Sequence, residues 1–366
     1  MTPDNNRSDG PSAAPGSGPG WGRRLRDAAD DYLPQGRWPG ILAALLLVYL
    51  VVIAVLGIYW SIAPDKFDVL ENARRFSTTA VSGESAAPVT GAVTTAALLG
   101  VVDALLNKPG GFLSNDRLPP GPYLDNIPNW EYGALVQSRD LARALRENFS
   151  RSQSQSTEDA DLVVAEPRFN FQTDSWLIPS SESKYREAMR YTQAYLARLT
   201  DPANPDAQFY ARADNLREWV AMVNTRLGSL SQRLSASVGR RRINTDLAGE
   251  ESASQSTAAP EEIEVRTPWH EIDDVFYESR GAAWALIHFL RAAEIDFAEV
   301  LQKKNAQVSL RQIIRELEGT QEVVWSPIIL NGTGFGLVAN HSLVMASYIS
   351  RANASLIDLR DLLSQG

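Results

Sequence analysis

Cysteine is absent from the 366-residue chain. That excludes disulfide frameworks, thiolate metal sites, cysteine nucleophiles and acyl-cysteine anchors. Histidine is scarce, with three in all: His270, His288 and His341. No two of them stand four apart, so the H-E-x-x-H zinc pattern is missing. Basic charge is not in excess, since 35 Lys and Arg face 44 Asp and Glu for a net charge of -9. The chain as a whole is therefore not built to coat nucleic acid or an anionic lipid surface. No serine sits in a nucleophile elbow, and no 20–50-residue unit repeats. No metal and no cofactor is expected from these absences.

One long apolar run is present. Residues 41–62 (ILAALLLVYLVVIAVLGIYWSI) hold no charge, and a helix of that length spans about 33 Å, enough to cross a bilayer core. Arg23, Arg24, Arg26 and Arg37 precede it beside Trp21, Tyr32 and Trp38. Arginines flanking a span mark its cytoplasmic side, and aromatics suit the headgroup level. Ser61-Ile62-Ala63 has the small-x-small form of a cleavage site, but Pro64 follows it and the run exceeds a signal's usual apolar core. The run is read as an uncleaved anchor with the N-terminus inside. Three parts are expected: a disordered and juxtamembrane cytoplasmic tail over 1–38, a transmembrane helix over 39–63, and a helical domain over 64–366. A cysteine-free exported domain fits the bacterial periplasm, which makes the protein a single-pass inner-membrane protein with its C-terminal domain periplasmic.

Beyond the span the text is mainly helical. A polar helix is expected within 65–79, then a small-residue linker over 81–90. Residues 92–106 (AVTTAALLGVVDALL) are apolar but too short to span and carry Asp103, so they read as a buried helix. Residues 107–128 form a loop dense in Pro and Gly, and a loop that long is often functional. Leu135, Ser138, Ala142, Leu145 and Phe149 step by three or four, as do Tyr185, Ala188, Thr192, Tyr195 and Leu199 in a helix capped at Ser181. Between these, 162–176 alternates in part and contains Pro167, which suggests a minor extended strap.

Asn204-Pro205 and Thr267-Pro268 each read as a cap followed by a first-turn proline. After the first, Phe209, Ala213, Leu216, Val220, Val223, Leu227, Leu230 and Leu234 form a heptad seam. After the second, Ile272, Phe276, Ser279, Ala283, Leu286 and Leu290 do the same. Residues 243–265 are Ser-, Ala- and Glu-rich and read as a flexible insertion. Ser309 with Gln312 suggests a capping box. The last helix carries Val338, Ser342, Met345, Ile349, Ala352, Leu356, Leu359 and Leu363 on one more heptad. Shared seams of this kind predict a multi-helix bundle packed at shallow angles.

Chemistry is sparse. The densest polar cluster is WHEIDDVFYE over 269–278, where His270 and Asp274 stand four apart. A His and a carboxylate at that spacing suit a general base with its orienter, while acids in a first turn also suit the helix dipole alone. His288 lies further along the same helix. Asp273, Tyr277, Arg280, Trp284 and Arg291 form a second stripe beside the apolar seam, suited to lining a ligand cleft or pairing with another helix. Gly332-x-Gly334-x-Gly336 precedes a helix, but without a following Lys-Ser/Thr it reads as a turn. His341 reads as a hydrogen-bonded interior or interface residue.

The blocks NKPGGFLSND, DNIPNWEYGAL, WHEIDDVFYESRGAAWALIHFL and NGTGFGLVANHSLVMASYISRAN resemble one uncharacterised bacterial inner-membrane family of unknown function, found chiefly in Gram-negative proteobacteria. The resemblance runs from the span onward and implies an anchor and an envelope location, with no activity to carry over. The expected function is that of a membrane-anchored periplasmic binding or scaffold protein. Its partners would be the bilayer through 41–62 and an envelope protein or lipid, with no nucleic acid. The alternative is a membrane-tethered enzyme using His270, Asp274 and His288.

Overall fold

The computed structural model describes residues 37–77, 88–151, 157–201, 203, 206–243, 262–326, 328–333 and 337–365. The expected disordered tail, most of the 81–90 linker, the Asn204-Pro205 restart, the interior of the 243–265 insertion and Gly334–Gly336 lie outside these residues. By compactness Met1–Val55 and Leu56–Gly366 separate into two units, and the division falls within the first helix.

That helix, α1, runs Arg37–Trp60. Its apolar window has a mean hydropathy of 3.2, and none of that window is buried. At about 36 Å it is long and apolar enough to cross a membrane. The second apolar run behaves differently. Helix α3, Ala92–Asn107, is buried over almost its whole length, as its shortness and Asp103 predict.

Between them lies α2, Val69–Phe76, whose cap Asp68 accepts from the amides of Leu70 at 2.9 Å and Glu71 at 2.8 Å. Arg74 and Arg75 fill its last turn, where the helix dipole favours cations. The buried Asn72 donates to Ala96 O at 2.7 Å. Gly100 makes room for that side chain, since a Cβ there would stand 2.6 Å from Asn72 Oδ1.

The centre of the body is the pair α4, Asn126–Ala144, and α8, Ile272–Asp296. Two glycines let their backbones touch. A Cβ on Gly133 would stand 1.9 Å from Glu278 O, and one on Gly281 would stand 1.9 Å from Trp130 O. Residues 275–293 of α8 are buried on nearly every side, which is why this helix carries an apolar seam and a second stripe at once.

The other large pair is α7, Ala213–Ser235, against the last helix α11, His341–Ser364. Leu216 to Leu234 on α7 and Ser342 to Leu363 on α11 bury the expected heptad positions. Asn224 and Asn353 join the two helices by a 2.8 Å hydrogen bond. Phe209 and Val338 fall outside the helices that their spacing suggested.

Several sequence expectations need correction. The strap expected at 162–176 is helical in its first half: α5 spans Ala160–Phe169 and contains Pro167. The helical period was present, since Leu162, Ala165 and Phe169 are the buried positions. Arg139 donates to Phe169 O and Phe171 O, both at 2.8 Å, and so satisfies carbonyls where the helix ends.

The second correction concerns the 243–265 insertion, whose flanks pair as a hairpin. Strands β1, Arg240–Ile243, and β2, Glu262–Val265, are antiparallel, with Arg241 opposite Glu264. Lastly, Ser309 caps nothing, because α10 begins at Gln307 and runs to Gly319. The remaining helices are α6, Ser181–Thr200, capped by Ser180 rather than Ser181, and the short α9, Ala298–Lys303.

Candidate functional site

The candidate residues all sit on α8 or the turn before it, so the packing of α8 decides their roles. Trp269–Glu271 form a 3-10 turn after Pro268. His270 thus belongs to this turn rather than to α8, which begins at Ile272. Its side chain is 64% exposed, with Nε2 3.6 Å from Glu271 Oε1. Asp274 is half-buried and accepts from Asn129 Nδ2 at 2.7 Å. Burial first, then neighbouring Asp273, pushes its carboxyl above the usual range.

His288 is fully buried, about 21 Å along the α8 axis from Asp274. Its Nδ1 lies 2.8 Å from Trp284 O, and its Nε2 accepts from the Phe67 amide at 3.1 Å. Those two contacts select the neutral tautomer with the proton on Nδ1. Burial drives the pKa down to about 4. Phe67 stacks on the ring at 3.9 Å between centroids, and Trp284 packs at 4.5 Å. Trp284 also meets Trp130 at 5.1 Å. The structure does not bring His270 and His288 together. Both ring nitrogens of His288 are engaged by main chain.

The second stripe divides. Trp284 is core. Arg291 forms an ion pair with Glu318 of α10. Asp273 and Tyr277 are half-buried, and the Tyr277 ring meets Phe276 at 5.4 Å. Arg280 reaches across to the segment after α10 and donates to Gln321 O and Glu322 O, both at 2.9 Å. In return, Gln321 Nε2 donates to Arg280 O at 3.0 Å. The guanidinium is thus held by carbonyls rather than by a carboxylate, and burial lowers its pKa.

Arg280 forms one wall of a cleft of about 390 Å³. The other walls are largely apolar: Phe276 from α8, Met345 and Tyr348 from α11, and Val323, Trp325 and Leu330 from the connector between α10 and α11. His341 closes one side and accepts from the Leu330 amide at 3.1 Å through Nδ1. Asn340 fastens the floor, donating to Asn331 Oδ1 at 2.8 Å and capping α11 at Leu343 N. Of these walls the sequence singles out Arg280 but not the 323–330 segment. The usable signal there was Trp325, an aromatic with nothing periodic around it.

Two other polar arrangements escaped the sequence entirely. Lys108 and Glu131 form a fully buried ion pair at 2.6 Å. Glu131 also accepts from the amides of Leu113 at 2.8 Å and Ser114 at 2.9 Å. This pins the Pro/Gly-rich loop to α4. At the other end of α3, Asp296 accepts from Thr94 N at 2.6 Å. It acts as a cap supplied from a distant helix, and burial raises its pKa to about 6 against the pull of the α3 amides. Among the described residues, no group of three His, Cys, Asp or Glu side chains is placed to hold a metal ion.

A profile for a family described as an uncharacterized protein conserved in bacteria (DUF2333) matches residues 34–366. The chain belongs to this family. The match takes in α1, the loop pinned by Lys108 and Glu131, and every wall of the cleft. No curated protein and no solved structure matches the chain.

Proposed function

We propose that the protein is a membrane-anchored binding protein of the bacterial cell envelope. In this reading α1 is retained in the inner membrane with its N-terminus in the cytoplasm. The helical body stands in the periplasm, and the cleft beside α8 takes an anionic amphiphile. The observation that carries the binding reading is the cleft itself: a largely apolar-walled space of about 390 Å³ with one guanidinium that is tied to carbonyls and makes no direct ion pair, the Glu322 carboxylate acting on it only from a distance. Pockets of this size and lining suit small ligands, and a few placed polar groups orient them. Arginine matches carboxylate and phosphate oxygens in particular.

Retention of α1 is supported by how its end is built into the body. Trp60 packs over Gly110, and a Cβ on Gly57 would stand 3.6 Å from Leu124 and 3.7 Å from Pro120, in ordinary contact. Ala63, the small residue before any cleavage point, is itself packed against the core. Cutting there would strip a wall from the folded unit. The placement of His288 gives the membrane-tethered enzyme no support, since both ring nitrogens are already taken.

Native mass spectrometry of the full chain in detergent, titrated with phosphatidylglycerol, tests the binding reading. The parent is expected to retain one lipid. Arg280→Gln, which removes the charge, and Met345→Trp, which fills the cleft, are each expected to lose it. A parent that retains no lipid, or variants that retain it equally, would overturn the cleft assignment.

A further inference from the structure

The exposed large apolar side chains of the body are not scattered. They gather at the end into which the last turn of α1 is packed. That end is defined by contacts. Gly57 and Trp60 touch the loop at 110–124. Asn115 of that loop donates to Ser175 O at 2.8 Å, and Arg117 reaches Asp174 O. Asn129, in the first turns of α4, binds Asp274 at the start of α8. Thr267 N donates to Ala236 O at 3.0 Å, Asn331 Nδ2 to Ser237 O at 3.0 Å, and Arg280 to the carbonyls at 321–322. The opposite end is about 24 Å away along α3. There Asp296 caps Thr94, and Lys304 meets Gln365.

On the α1 side, Leu118 and Tyr123 project from the Pro/Gly-rich loop at 78% and 75% exposure. Beside them Trp176, Leu177 and Ile178 are exposed at the tip of the loop before α6. Trp269, Trp325 and Leu337 stand out from the connections at the starts of α8 and α11. All three exposed tryptophans beyond α1 lie on this end. Among the described residues, the opposite end offers little beyond Val89 and Val308. A soluble body does not ordinarily collect apolar side chains on one end, and such a patch marks a partner surface. Tryptophan and tyrosine at loop tips are the residues that settle at lipid headgroups.

We infer that these loops form a second membrane contact: they rest in the headgroup region of the same bilayer that α1 crosses. The inference rests on the anchor reading. Chain continuity selects the occupant. The loops touch the last turn of α1, so whatever surrounds the apolar run is within a turn of them. The buried Lys108–Glu131 pair then acquires a purpose, since it stiffens the loop that must hold Leu118 and Tyr123 outward.

The lack of cysteine makes the test direct. Single nitroxide labels are placed in the full chain at Val51→Cys, Ile178→Cys, Leu337→Cys and Val308→Cys, and the protein is reconstituted in vesicles of phosphatidylethanolamine and phosphatidylglycerol. Collision with oxygen is compared with collision with a water-soluble nickel chelate. The expected result is a deep label at 51, and oxygen-to-nickel ratios at 178 and 337 several-fold above that at 308. Labels at 178 and 337 that match 308 while 51 is lipid-embedded would overturn this contact and leave the anchor standing. A water-exposed label at 51 would overturn both.

Discussion

Adding one methyl group at Gly281 probes the contact on which the body is built. The new Cβ would stand 1.9 Å from Trp130 O, where ordinary contact begins at 3.4 Å. The obstacle is backbone, which cannot rotate aside, so α4 and α8 must part by about 1.5 Å. A gap of even 0.5–1 Å forfeits roughly a quarter to a half of the dispersion energy of the atoms that face it. Overpacking of this kind costs about 1–3 kcal/mol and sometimes more, while the helix propensity of alanine returns roughly 1 kcal/mol. A backbone overlap of this size lies at the upper end of that range, so the expected net loss is about 2 kcal/mol for Gly281→Ala, and the same for its reciprocal Gly133→Ala. Gly228 is the internal control. Its Cβ would meet only Asn353 Nδ2, at 3.6 Å, so Gly228→Ala should gain up to about 1 kcal/mol. Guanidinium unfolding of the full chain in detergent, followed by far-ultraviolet circular dichroism, reads both signs. A Gly281→Ala protein as stable as its parent would refute the backbone contact between α4 and α8.

Acid titration should expose two opposed groups. The folded pKa of His288 is about 4, below its ordinary 6.5. The stability it contributes is present above pH 6.5 and is lost as pH falls toward 4, by about 3 kcal/mol in full. Asp296 is raised to about 6 from 3.8. Its effect runs the other way, lowering stability as pH rises from about 4 to 6 by roughly the same amount. Relative to parent, His288→Gln should therefore lose stability more steeply with rising pH across that window, and Asp296→Asn should gain it. Unfolding midpoints at several pH values check both slopes. Lys108→Met leaves Glu131 charged and buried without its partner, and should cost about 3–5 kcal/mol by the same unfolding assay. A loss below 1 kcal/mol would mean that water reaches the pair.

The sequence was informative wherever structure depends on near neighbours. The apolar run at 41–62 and the seams of α7 and α11 were legible because each is a local period with one buried face. The α5 strap was misread because a proline near a helix end was weighed more heavily than the spacing of Leu162, Ala165 and Phe169. The site was legible only in part. Arg280 was visible as part of a stripe, but its carbonyl partners lie 41 and 42 residues away. Gly133 and Gly281 look in the text like ordinary helix-weakening residues. Only the crossing of α4 and α8 gives them a purpose. Asp296, similarly, caps a helix that begins about 200 residues earlier in the chain, a relation that no periodicity records.

The central claim is that α1 remains part of the mature protein and holds it in the membrane. The most direct test is the intact mass of the chain recovered from carbonate-washed cell membranes. The account predicts a protein that stays in the membrane pellet at a mass that includes residues 1–63. A soluble chain beginning after Ala63 would contradict it.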